Sequence, residues 1–66
     1  MRVTVNGEDR ELPEGITLAE LLAQLGVNRS TVVVERNGRV VGRGEHDAVC
    51  LAPCDRLEIV RFVAGG

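Results

Sequence analysis

Two glycines, Gly65 and Gly66, occupy the last two positions of the 66-residue sequence. At an average usage of about 7%, chance puts glycine in both places in roughly one chain in two hundred. A tail without side chains enters a channel too narrow for a Cβ and takes backbone angles closed to other residues. Its terminal carboxylate is ionised at neutral pH and is a nucleophile toward an electrophilic phosphorus centre. Fully extended, Val63, Ala64, Gly65 and Gly66 reach about 13 Å beyond whatever body precedes them. That is far enough to enter the active site of another protein. The plain alternative is a frayed terminus.

His46, Cys50 and Cys54 are the other chemically reactive types. Their four-residue spacing admits a His/Cys/Cys metal site on paper. Against it, Pro53 breaks any helix that would align them, and only three ligands are on offer. No metal is therefore expected. Cys50 reads as a small buried hydrophobe, and Cys54 as part of a Pro53-Cys54-Asp55 turn. A persulfide-accepting role for either thiol requires an exposed or charged setting and stays open at this stage.

These residues need a frame to hold them, and the chain punctuates itself clearly. Arg2 to Asn6 alternates polar and apolar, with Val3 and Val5 on one face of a strand. Asn6-Gly7 tolerates positive φ and turns the chain into a returning strand, Glu8 to Leu12. A two-residue loop would set Val5 opposite Glu8. A four-residue loop would pair Val3 with Leu12 and keep one face apolar, and this longer loop is the expected register. After Pro13-Glu14-Gly15, Thr17 and Glu20 form a capping box, with Ile16 placed to staple onto Leu21. Leu18, Leu21, Leu22 and Leu25 then line one face of a helix that Gly26 stops. The "TVVVER" run from Thr31 to Arg36 predicts a strand buried on more than one side. Asn37-Gly38 turns it into a short "RVVG" strand. Gly42 to Asp47 is polar and irregular, Val49 and Leu51 are apolar anchors, and Arg56 to Val63 forms the last strand. On that strand Leu57 and Ile59 share one face, while Glu58, Val60 and Phe62 share the other.

The resulting architecture is α+β, a mixed sheet of four to five strands with one main helix packed on one face. At 66 residues it is a single domain, 1–66, whose last four residues are expected to be a flexible tail. The chain is 44% hydrophobic with a single Phe, so its core is built from Leu, Ile and Val. A formal net charge of -2 gives no basic field for nucleic acid. No apolar run reaches the roughly 18 residues of a membrane span, and "MRVTVNGEDRELPEG" lacks the apolar stretch of a secretory signal. A cytoplasmic location is expected. All eight basic residues are arginine, which codon bias in the source genome explains most simply.

Taken together, "VNG", "LPEGITLAELLAQL", "VVVERNGRVV" and "DRLEIVRFVAGG" cover nearly the whole sequence and resemble the ThiS family, sulfur carriers of thiamin biosynthesis with the ubiquitin-like β-grasp fold. The terminal "GG" is shared by all ubiquitin-like carriers, whereas "DRLEIVRFV" running into it is more specific. The resemblance implies a carrier that is a substrate of other enzymes rather than an enzyme itself. An E1-like adenylyltransferase of the ThiF type would use MgATP to turn the Gly66 carboxylate into an acyl-adenylate. Sulfur from a persulfide donor would displace AMP and leave a thiocarboxylate, and a ThiG-type thiazole synthase would consume it. No cofactor is bound by the carrier in this scheme. Gly65 and Ala64 form the tail, while Val60 and Phe62 make an apolar docking stripe before it.

The chain departs from the family in three places. Cys54 stands where glycine is usual, Gly42 replaces a common proline, and Arg10 sits where an inward apolar residue is usual, so that its stem would snorkel. Without lysine, an activated Gly66 would find no internal side-chain amine to acylate. The competing readings are the small subunit of molybdopterin synthase, a carrier for cysteine synthesis, a ubiquitin-like protein modifier and a non-covalent docking module.

Overall fold

The computed structural model describes residues 1–62. Val63, Ala64, Gly65 and Gly66, the expected tail, lie outside the described residues. The elements run β1 (Arg2–Val5), β2 (Glu8–Glu11), α1 (Leu18–Gln24), β3 (Val32–Arg36), β4 (Arg39–Val41) and β5 (Arg56–Arg61), with 3-10 turns at Arg29–Thr31 and Arg43–Glu45. The strands form one five-stranded sheet in the order β2-β1-β5-β3-β4. β5 is central, parallel to β1 and antiparallel to β3. This is the mixed sheet with one helix that the β-grasp resemblance implies.

Helix α1 starts as its sequence predicts. Thr17 Oγ1 accepts the Glu20 N–H at 3.1 Å, and Glu20 Oε1 accepts the Thr17 N–H at 2.8 Å. The remaining donors of the first turn are met by a distant loop: Leu18 N–H donates to the Val49 carbonyl and Ala19 N–H to that of His46. Every orphan N–H of the helix start is thereby satisfied, and the loop before β5 is tied to the helix. At the other end Gly26, at φ +70°, closes a Schellman motif in which its N–H reaches Ala23 and the Val27 N–H reaches Leu22.

The core lies between α1 and the inner face of the sheet. Leu18, Leu21 and Leu22 from the helix meet Val3 and Val5 of β1, Val32 and Val34 of β3, and Leu57 of β5, with Leu12, Ile16 and Leu51 closing the margins. Leu18, Leu21, Leu22 and Leu57 are effectively sealed from water. Burying such a side chain stabilises the fold by about 1.5–3 kcal/mol, and four of them are a substantial share of a small domain's total. Among the described residues no helix is long and apolar enough to cross a membrane.

Two expectations about the strands are corrected. The first hairpin uses the two-residue loop, with Val5 opposite Glu8 and Val3 opposite Arg10. Asn6 and Gly7, at φ +50° and +83°, adopt the left-handed pair that such a turn demands. The apolar-face argument fails because β2 is exposed along its whole length. An edge strand that the helix does not cover has no inner face to fill, so turn chemistry alone sets its register. Arg10 is accordingly exposed, and Leu12 is buried only after the strand has ended. The valine run of β3 is also one-sided. Val32 and Val34 are buried, but Val33 is 39% exposed, because no element among the described residues covers the back of the sheet.

Candidate functional site

The tail follows β5 in the sequence, and the local hydrogen bonds show how that strand is held. On one side β5 pairs with β3 from Leu57 to Arg61, and Phe62 N–H adds a bond to the Thr31 carbonyl at 3.2 Å. On the other side β1 ends at Val5 and its chain turns away. Asn6 takes over there. Its backbone N–H donates to the Leu57 carbonyl at 2.9 Å. Its side-chain amide then accepts the Ile59 N–H at 2.7 Å and donates to the Ile59 carbonyl at 3.3 Å. The amide imitates one more strand residue and extends the pairing of β5 by two positions toward the tail.

The faces of β5 divide as the sequence predicts. Leu57 is buried, Ile59 is half-buried against the core, and Val60 and Phe62 point to solvent at 54% and 40% exposure. Val60 lies directly opposite Val33, so the expected stripe of Val60 and Phe62 is widened by a residue that the valine-run reading had placed in the interior. The signal was there in the period of two: with Val32 and Val34 inside, Val33 has to face out. Gly66, Gly65 and Ala64, the residues expected to carry and present the reactive group, lie outside the described residues.

At the opposite end of β5, Asp55 organises the turn that feeds the strand. Its buried carboxylate accepts the Ala52 N–H at 2.8 Å, the Asn37 amide at 3.0 Å and Arg36 Nε at 2.9 Å. Burial alone would push this carboxyl up. The three donors and the Arg36 charge outweigh it, holding Asp55 below the usual carboxylate range. Asn37 also accepts the Arg56 N–H, so the β3–β4 turn and the start of β5 are locked together. Cys54 sits in this turn at φ +68°, left-handed geometry that is strained for a residue with a Cβ.

The imagined His/Cys/Cys grouping is not brought together. His46 is buried against the helix start, while Cys50 and Cys54 are both free and exposed. Among the described residues no group of three or more His, Cys, Asp or Glu side chains is placed to hold a metal ion. The exposure of Cys50 corrects the expectation of a small buried hydrophobe. Cys50 forms an isolated bridge with Thr17 at the margin of the fold, where the apolar positions are already taken by Ile16, Val49 and Leu51.

Comparison with known proteins gives a consistent picture. The family model described as "ThiS family" matches residues 3–66. The sulfur carrier protein ThiS of Bacillus subtilis is 36% identical over 63 residues, covering 94% of this chain and 96% of that protein. Thiazole synthases of Magnetococcus marinus and Paramagnetospirillum magneticum are 44% and 39% identical over 66 residues. The chain spans only about a fifth of the length of those two relatives, 20% in each case. Among solved structures, the crystal structure of the thiamine biosynthesis protein ThiS from Geobacter metallireducens superposes with a TM-score of 0.86 at 36% identity over the full length of both chains.

Proposed function

The chain belongs to the ThiS family, and from that premise we propose that it is a sulfur carrier of thiamin biosynthesis whose working group is the carboxylate of Gly66. An E1-like adenylyltransferase, holding ATP and Mg, receives the tail. The carboxylate attacks the α-phosphorus, pyrophosphate leaves, and the acyl-adenylate forms. The terminal sulfur of a persulfide then attacks the acyl carbon and AMP leaves, giving an acyl disulfide; a thiol reductant cleaves its S–S bond, ending as a disulfide itself, and releases the thiocarboxylate, which is the sulfur source for a thiazole synthase. ATP and Mg belong to the activating partner and not to this chain. The carrier supplies a slim tail on a rigid strand, with Val60 and Phe62 as the apolar contact beside it.

The observation that carries this reading is the family match running from β1 through to Gly66, on a fold that dedicates its central strand to the tail. The thiazole branch is favoured over molybdopterin or cysteine synthesis because two thiazole synthases contain a segment similar to the whole of this chain. Intact-mass analysis after incubation with an E1-like adenylyltransferase, MgATP, a persulfide donor and a thiol reductant tests it. Exchange of one terminal oxygen for sulfur is the expected result. Appearance of the chain on lysines of other proteins would support the modifier reading instead. Deleting Gly66 abolishes activation and leaves the circular dichroism spectrum and melting midpoint unchanged, because a terminus contributes little to the fold.

A further inference from the structure

Both hairpin tips are Asn-Gly turns, and each lends its asparagine to the central strand. Asn6 and Asn37 share a left-handed conformation, at φ +50° and +53°, and both are exposed. Each donates its backbone N–H to a β5 carbonyl, Asn6 to Leu57 and Asn37 to Arg56. Each also accepts a β5 N–H on its side-chain oxygen, from Ile59 at 2.7 Å and from Arg56 at 2.9 Å. The two grips differ in what the amide nitrogen finds. Asn37 Nδ2 donates at 3.0 Å to Asp55, a buried carboxylate fixed in turn by Arg36 and Ala52, whereas Asn6 Nδ2 reaches only the neutral Ile59 carbonyl at 3.3 Å. A bond to an ionised acceptor is roughly twice as strong as a neutral one. The glycines do not differ in the same way. Neither Gly7 nor Gly38 has a hydrogen bond on its N–H among the described residues, and nothing lies within 4 Å of where a Cβ would stand.

We propose that Asn6 is a site of spontaneous covalent modification, deamidation to aspartyl and isoaspartyl products, and that Asn37, in the same dipeptide, is held unreactive by Asp55. An asparagine followed by glycine carries its nucleophile one residue away, unshielded by a side chain. The Gly7 nitrogen, its proton lost to solvent, attacks Asn6 Cγ; the Cγ–Nδ2 bond breaks, and ammonia leaves with a proton taken from solvent. A five-membered imide results. Water then adds to one of the two imide carbonyl carbons, the ring C–N bond there breaks, and the nitrogen regains its proton. Opening at Cγ leaves aspartate, and opening at the α-carbonyl leaves isoaspartate. To reach the Gly7 nitrogen, Cγ swings out of its grip on Ile59. Asn6 gives up two neutral hydrogen bonds to do so, whereas Asn37 gives up a neutral one and a charged one. In the isoaspartyl product the side chain has become main chain, so the Ile59 N–H loses its acceptor and β5 loses the hold that Asn6 adds beyond Leu57.

The test is peptide mapping by mass spectrometry of the wild-type chain kept folded in warm neutral buffer for several weeks, beside the same chain in denaturing urea. In the folded chain Asn6 is expected to convert at least about fivefold faster than Asn37. In urea that preference disappears, since β-branched Val5 ahead of Asn6 gives it no local advantage. The variant Asp55→Asn keeps shape and removes the charge. It is expected to raise conversion at Asn37 by at least about threefold and to leave Asn6 unchanged. In the aged wild-type chain, amide exchange quickens at Ile59 and holds at Arg56, each the reporter of its own asparagine. Conversion at Asn37 equal to or above that at Asn6, the same preference in urea, or no conversion of folded Asn6 over a period that converts it in urea each overturns the site. An unchanged Asn37 rate in folded Asp55→Asn overturns the protection by Asp55. If that variant does not fold, the comparison of folded with urea-treated wild type decides alone.

Discussion

Asp55 and Cys54 are neighbours with opposite effects on stability. Asp55 is held below its ordinary range by donors that exist only in the folded chain, so its contribution is fully present above the unfolded carboxylate range and is lost as pH falls through the folded value. Unfolding free energy is thus expected to be level between neutral pH and about 5 and to decline below about 4. Asp55→Asn flattens that acid limb in a pH series of denaturation curves. Cys54 works the other way. A non-glycine residue in the left-handed region costs about 1–2 kcal/mol, against which glycine costs about 0.4–1 kcal/mol more in unfolded-chain entropy. Cys54→Gly is therefore expected to stabilise by about 0.5–1 kcal/mol, read from the denaturant midpoint. The turn itself was legible in Pro53-Cys54-Asp55. The buried carboxylate was not, because its three donors come from Arg36, Asn37 and Ala52, and only the folded sheet brings the first two within reach.

Among the elements, α1 was the most legible, since everything that defines it lies within the eleven residues from Ile16 to Gly26: Ile16, Thr17, Glu20, the leucine face and Gly26. Thr17→Ala removes the side-chain half of the capping box and is expected to cost about 1 kcal/mol by denaturant titration. The two hairpin turns were equally plain from Asn6-Gly7 and Asn37-Gly38. The register of the first was misjudged because Leu12 suggested an inner face for a strand that has none. Pattern reasoning assumes cover, and whether a strand is covered is a property of the finished sheet. The same applies to Val33, whose neighbours in sequence resemble it but whose neighbours in space do not. The candidate site divides along the same line. Val60 and Phe62 could be read from alternation on one strand. The Asn6 amide on Ile59 and the Asn37 amide on Arg56 each join residues far apart in the chain, 53 positions in the first case.

At the scale of the whole molecule, few interactions are spare. Stability for 66 residues is roughly 3–10 kcal/mol, and Leu57 sits on the central strand with 1% exposure. Leu57→Ala is expected to cost about 2–5 kcal/mol, enough to leave a large unfolded fraction at 37 °C, seen as lost amide-exchange protection across β1, β3 and β5. The placing of β5 has a mechanical consequence as well. β1 and β5 lie side by side and run the same way, so tension applied between the Arg2 end of one and the Arg61 end of the other loads their bonds in shear, all at once rather than one after another. A protein withdrawn by its tip from a tight sleeve meets that load along the axis on which its fabric tears last.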